Sequence, residues 1–184
     1  MLADLRRGHE DGGLGMRIDE RIYGLAKNVI RACSDAGITV GTAESCTGGL
    51  VCGALTAVPG SSAVVRGGVV SYATAVKESV LGVPTDITRE ESVGVVSAEC
   101  ARAMSEGARD VLGCDVAVSV TGIAGPGGGE PGKPVDTVWF GIASSRGTDS
   151  QLHVFEGDRA EVRGQAVEAA LELLLREAGL CQRR

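Results

Sequence analysis

The sequence predicts an α/β fold: a single three-layer domain in which a mixed, partly parallel sheet is covered by helices on both faces. Three observations predict it. Segments with apolar residues every three or four positions alternate with short β-branched runs. Two of those runs pass directly into glycine-rich turns, Glu44-Ser45-Cys46-Thr47-Gly48-Gly49 and Thr121 to Gly129, the pattern found at the carboxyl ends of parallel strands. No internal repeat or long linker divides the 184 residues, a length suited to one core. The domain is expected over 17–180, after a disordered tail over 1–16 that has charges and glycines but no apolar block.

The elements follow in order. Ile18, Ile22, Leu25, Val29 and Cys33 keep helical spacing until Gly37, so 17–36 reads as an amphipathic helix. A buried strand is expected over 38–43, then a helix from Thr47 to Ala57, ended by Pro59-Gly60-Ser61-Ser62. Val64–Tyr72 reads as a strand loosened by Gly67-Gly68, and Thr74–Leu81 as a short helix before Gly82-Val83-Pro84. Ser97 can cap a helix that runs to Leu112 and stops at Gly113. Val116–Val120, Val138–Ser144 and Gln151–Phe155 read as strands. Asp158 with Glu161 has the spacing of a capping box, and the last helix turns Val162, Ala166, Ala169, Leu173 and Leu174 inward until Gly179.

Composition narrows the function. With 43% hydrophobic and 23% charged residues, the chain is ordinary globular material. A net charge of −6 without long Lys/Arg runs makes a nucleic-acid backbone a poor partner. No apolar stretch approaches the ~18 residues of a membrane span. Cysteines 33, 46, 52, 100, 114 and 181 are scattered and no secretion signal precedes them, so reduced thiols in the cytoplasm are expected.

If strands 38–43 and 116–120 are parallel neighbours, both glycine turns open on one edge, where N–H groups could hold a phosphate or an oxyanion. Glycines that merely make tight turns are the plainer reading. His9 lies in the tail and His153 in a strand, so a Ser-His-Asp triad is poorly supported. Neither HExxH nor CxxC occurs, and no metal site is expected. A serine without histidine needs another base, and a desolvated lysine is the usual one. Lys77, five residues after Tyr72 among small apolar neighbours, is the candidate; a solvated surface lysine is its other reading. Cys46 competes with Ser45 as nucleophile, but no histidine is placed to activate it, and neighbouring side chains diverge. Gly127 to Lys133 mimics the start of a P-loop, but Pro134 stands where the magnesium-binding hydroxyl belongs.

Several motifs then occur in a familiar order. These are Thr42-Ala43-Glu44-Ser45-Cys46-Thr47-Gly48-Gly49, Pro59-Gly60-Ser61-Ser62, Arg66-Gly67-Gly68, Tyr72 with Lys77, Thr121-Gly122-Ile123-Ala124-Gly125-Pro126, Lys133-Pro134-Val135 with Thr137-Val138, and Gly157-Asp158-Arg159. Over about 18–178 the chain resembles the nicotinamide-nucleotide amidohydrolases (NMN deamidases), whose domain also forms the C-terminal part of the CinA proteins. The resemblance implies hydrolysis of the carboxamide of nicotinamide mononucleotide to nicotinic acid mononucleotide and ammonia, by a cytosolic homo-oligomer that needs no cofactor or metal. Carried over by position, it makes Ser45 the nucleophile, Lys77 its base and Tyr72 a proton relay. Thr121 and N–H groups near Thr47 and Gly48 would support the oxyanion, with Gly49 in the same turn.

For the phosphate, the candidates are the Gly122, Ala124 and Gly125 turn and Arg159. Arg66 is either a substrate ligand or a structural ion-pair partner, and Glu44 either orients the turn or touches the ribose. Two departures from the family pattern stand out: Ala73-Thr74 follows Tyr72 where Ser-Asn is common, and Asp136 replaces a glycine before Thr-Val. The alternative reading is a module that binds or senses pyridine nucleotides without turning them over.

Overall fold

A computed structural model describes residues 18–90, 92–129 and 132–181; the expected tail over 1–16 lies outside the described residues. The chain runs α1 (Glu20–Ala36), β1 (Val40–Glu44), α2 (Leu50–Thr56), β2 (Val65–Val70), α3 (Thr74–Leu81), α4 (Thr85–Arg89), α5 (Ala98–Leu112), β3 (Val116–Gly122), β4 (Thr137–Ser144), β5 (Gly147–Val154) and α6 (Arg159–Cys181). The sheet order is β2-β1-β3-β4-β5, with β2, β1 and β3 parallel and β4 and β5 antiparallel to their neighbours. This is the mixed α/β sheet that the sequence predicts.

Caps set most boundaries. The Asp19 carboxylate accepts from the Arg21 and Ile22 N–H groups, and Gly37 ends α1 at φ 66°. Ser97 Oγ accepts from Cys100 N at 3.1 Å, and α5 stops at left-handed Gly113. Asp158 and Glu161 cap reciprocally at 2.7–3.0 Å, as a capping box requires. Three expectations are corrected. Helix α6 continues through Gly179 to Cys181. Helix α2 begins at Leu50, because Gly48 and Gly49 hold φ of 63° and 97° and keep Thr47–Gly49 in a turn. Strand β5 starts at Gly147, where the polar run after Ser144 belongs to a hairpin.

One face of the sheet packs Phe140 and Val118 against Val29, Leu55, Leu171 and Leu174 of α1, α2 and α6. The other packs Ala43 and Ala117 against Leu81, Cys100, Met104 and Ala108 of α3 and α5. Helix α5 lies close on the sheet because Gly141 lacks a side chain there. Ser119 Oγ donates to Ala101 O at 2.6 Å and accepts from Gly141 N at 3.1 Å. A Cβ at 141 would collide with the Ala101 carbonyl and with Ser119 Oγ. Gly141→Ala is therefore expected to lower stability by about 2–3 kcal/mol, read as a shifted urea midpoint.

Register places the candidate site. Glu44 pairs with Val120 of β3 and Val70 of β2, so the three parallel strands end level and their loops open on one edge.

Candidate active site

The chain leaves β1 at Ser45, whose N–H still donates to Val120 O at 2.9 Å. It then folds into a tight turn closed by Gly48 N–H on Ser45 O at 3.1 Å. From the neighbouring β2 loop, α3 carries Lys77, only 1% exposed, back beneath that turn. Its Nζ lies 3.0 Å from Ser45 Oγ, 2.6 Å from Ser71 O and 3.4 Å from Tyr72 O. No ion pair holds this lysine among the described residues. Burial pushes its pKa down from the usual lysine value, with the Cys100 and Cys46 thiols pulling weakly the other way. A neutral amine has two N–H donors and one lone pair. Two carbonyls can take the donors, which leaves the lone pair for the Ser45 proton.

The rival thiol is poorly suited to this chemistry. Cys46 points into the α1–α2–α6 core at 5% exposure. Burial raises it to about 11, with the N–H groups of Cys46 and Thr47 pulling it down less strongly.

The remaining predicted residues divide. Glu44, 1% exposed, orients the turn and does not reach outward. Its carboxylate accepts from Gly49 N at 2.9 Å, Val51 N at 3.0 Å, Cys52 N at 2.8 Å and Thr42 Oγ1 at 3.1 Å. The Gly49 N–H is thereby taken up by protein. Tyr72 contributes its carbonyl to Lys77, but its phenol, on a residue 63% exposed, accepts from Arg159 Nη2 at 3.3 Å. Among the described residues, that hydroxyl has no hydrogen bond to Ser45 or Lys77 to carry the expected relay. The Thr121 hydroxyl donates to Val95 O at 2.7 Å, which removes its proton from any oxyanion.

Gly122 sits on the β3–β4 ladder, where a Cβ would meet Thr137 O at 2.7 Å, and Ala124 is buried in the core. Both therefore serve packing. Arg66 is the extra residue of a register shift at the amino end of β2, about 13 Å of strand rise from the site edge. It lies near Asp115, whose carboxyl is held low chiefly by the Thr39 hydroxyl and N–H. The position of Arg66 fits a structural role away from the site, although no ion pair within 4 Å holds it among the described residues.

Arg159 does reach the edge. Nη1 donates to Gly125 O at 2.9 Å, and the guanidinium borders a cavity of about 600 Å3 with Gly125, Asp136 and Asp158. Asp136 holds φ 70°, a left-handed conformation that glycine adopts most readily. Its carboxylate adds negative charge to the cavity. Lys133, from the P-loop mimic, donates instead to Val93 O. Among the described residues no cluster of His, Cys, Asp or Glu forms a metal site, and no helix is long and apolar enough to cross a membrane.

Sequence reasoning missed Arg163. It lies 116 residues from Thr47, yet its Nη2 donates to Thr47 O at 3.0 Å. Only its spacing of four from Arg159, which puts both on one side of α6, could have signalled it.

Residues 22–178 match the CinA C-terminal domain family. A CinA-like protein of Anaeromyxobacter dehalogenans is 44% identical over 180 residues, covering 91% of this chain and 44% of that protein. One from Geobacter sulfurreducens is 47% identical over 148 residues, covering 80% of this chain and 35% of the relative. The chain thus spans less than half the length of these curated relatives. Among solved structures, the competence/damage inducible protein CihA of Agrobacterium tumefaciens superposes with a TM-score of 0.81 at 40% identity, covering 87% of this chain and 97% of that one. A CinA superfamily protein of Klebsiella pneumoniae superposes at 0.82 and 36% identity, covering 86% and 98%. With most of its length matched in sequence and in fold, the chain belongs to the CinA C-terminal domain family.

Proposed function

We propose that this chain is an amidohydrolase that releases ammonia from the carboxamide of nicotinamide mononucleotide through an acyl-enzyme on Ser45. The observation that carries the reading is the buried Lys77 amine 3.0 Å from Ser45 Oγ. Neutral Lys77 takes the hydroxyl proton as Oγ bonds to the amide carbon, and the carbonyl electrons move onto oxygen. Collapse breaks the C–N bond, and the Lys77 ammonium protonates the departing nitrogen, which leaves as ammonia. Water then loses a proton to Lys77, attacks the ester and frees the acid, and the proton returns to Ser45.

Donors for the oxyanion would come from the turn after Ser45. The Cys46 and Thr47 N–H groups bond no other backbone group among the described residues, although both face the Cys46 sulfur, whereas Gly48 N–H is taken by Ser45 O. The Arg159 fork at the adjoining cavity suits the phosphate. Family membership supports the reading.

Ammonia release from nicotinamide mononucleotide by the purified chain tests the proposal. A module that only senses the nucleotide would bind it and release none. The Asp136 carboxylate should weaken the hold on the phosphate. Asp136→Gly is expected to lower KM for the nucleotide two- to fivefold, about 0.5–1 kcal/mol, with kcat little changed.

A further inference from the structure

Among the described residues, buried side-chain polar atoms without partners are few, and they gather around the Ser45 turn. They are Thr47 Oγ1, Ser71 Oγ and Arg163 Nε. Ser71 gives its carbonyl to Lys77, Thr47 lies two residues past Ser45, and Arg163 bonds Thr47. Orphaned buried donors are costly, so a guanidinium held this way calls for a reason.

We propose that Arg163 is a positioning residue for the Ser45 turn, acting through the Thr47 carbonyl; this rests on Ser45 being the nucleophile. The Thr47 oxygen accepts from Leu50 N at 3.3 Å and from Arg163 Nη2 at 3.0 Å. Those bonds fix the plane of the Thr47–Gly48 peptide. On its other side the same peptide sends Gly48 N–H to Ser45 O, so the nucleophile's own carbonyl is fixed through it. The guanidinium also packs on Gly48, where a Cβ would stand 3.4 Å from Nη2. A side chain at position 48, already strained by its φ of 63°, would press on the arginine. The positive charge of Arg163 thus sits behind the short stretch whose N–H groups would face a developing oxyanion. Helix α6 delivers two guanidiniums one turn apart: Arg159 toward the Gly125 cavity and Arg163 toward the nucleophile turn.

The test compares Arg163→Gln and Arg163→Lys by steady-state ammonia release, by the rate at which a fluorophosphonate labels Ser45, and by melting temperature. Arg163→Gln is expected to lose about 10- to 100-fold in kcat and in labelling rate, with KM within about twofold. Arg163→Lys, which keeps a charged donor, is expected to recover most of the loss. Guanidinium salt in the millimolar range should partly restore Arg163→Ala. If Arg163→Gln labels at the wild-type rate, or both variants lose activity only in step with melting temperature, the proposal is overturned. Labelling that keeps its dependence on Arg163 in an enzyme releasing no ammonia from the nucleotide would uphold the positioning role while sinking the substrate assignment.

Discussion

Ser45→Ala and Lys77→Met are each expected to lower ammonia release by on the order of 10³-fold or more, with the fold intact. Ser45 supplies the one side-chain hydroxyl that Lys77 Nζ meets among the described residues, at 3.0 Å. Methionine keeps the length and apolar stem of lysine while removing the amine. The stability of the pair then separates a base from a structural strut. Burial lowers the folded-state pKa of Lys77, so the unfolded chain binds more protons wherever the pH lies between the folded and unfolded values. Stability therefore rises with pH across that window. Below the folded value the cost of the buried charge is present in full, and above the unfolded value, about 10.4, it is gone.

Lys77→Met has no such slope and is expected to be at least as stable as the wild type at neutral pH, because no buried partner loses a countercharge. The turnover of the wild type should rise with pH as the amine deprotonates. A flat profile between about pH 6 and 9 would exclude lysine as the base. A Lys77→Met variant that melts well below the wild type would make the contacts of Nζ to Ser71 O and Tyr72 O structural first.

The Ser45–Lys77 pair was legible through the family resemblance, while spacing alone left Lys77 open to a solvated surface reading; the topology supplies the physical reason. Each residue follows the carboxyl end of a parallel strand, and β1 and β2 are hydrogen-bonded neighbours, so a nucleophile after one and a short helix after the other must meet. Helix α5 was legible to the residue, since Ser97 and Gly113 act within a few positions of the ends that they fix. Polar side chains were a different matter. Thr121 spends its hydroxyl on a carbonyl 26 residues back, and Tyr72 meets an arginine 87 residues on. Neither partner is marked by local spacing. Gly179 failed as a stop because a glycine costs a helix only about 1 kcal/mol, and beyond it Cys181 still packs against the core. Helix α4, five residues after Pro84, is too short to show a period.

Glu44→Ala is expected to have the largest effect on stability, a loss of about 3–5 kcal/mol in urea unfolding. Helix α2 has Gly49 at its N-cap, and no side chain at that position bonds the first turn. The carboxylate at the end of β1 does so instead, collecting the N–H groups of Gly49, Val51 and Cys52. These donors carry the positive end of the helix dipole, and a negative charge there is favourable. Alanine leaves three N–H groups facing a void walled by protein, each costing about 1–3 kcal/mol unless water follows them in. Glu44→Gln keeps the volume but turns an amide NH2 toward N–H donors, and should lose about half as much. Because Ser45 is the next residue, the Gln variant should also lose kcat while KM stays near wild type, since the strand-to-helix turn that aims Oγ at Lys77 hangs from this carboxylate. If Glu44→Gln instead raised KM alone, the side chain would be reaching the sugar, against the four internal hydrogen bonds that now hold it.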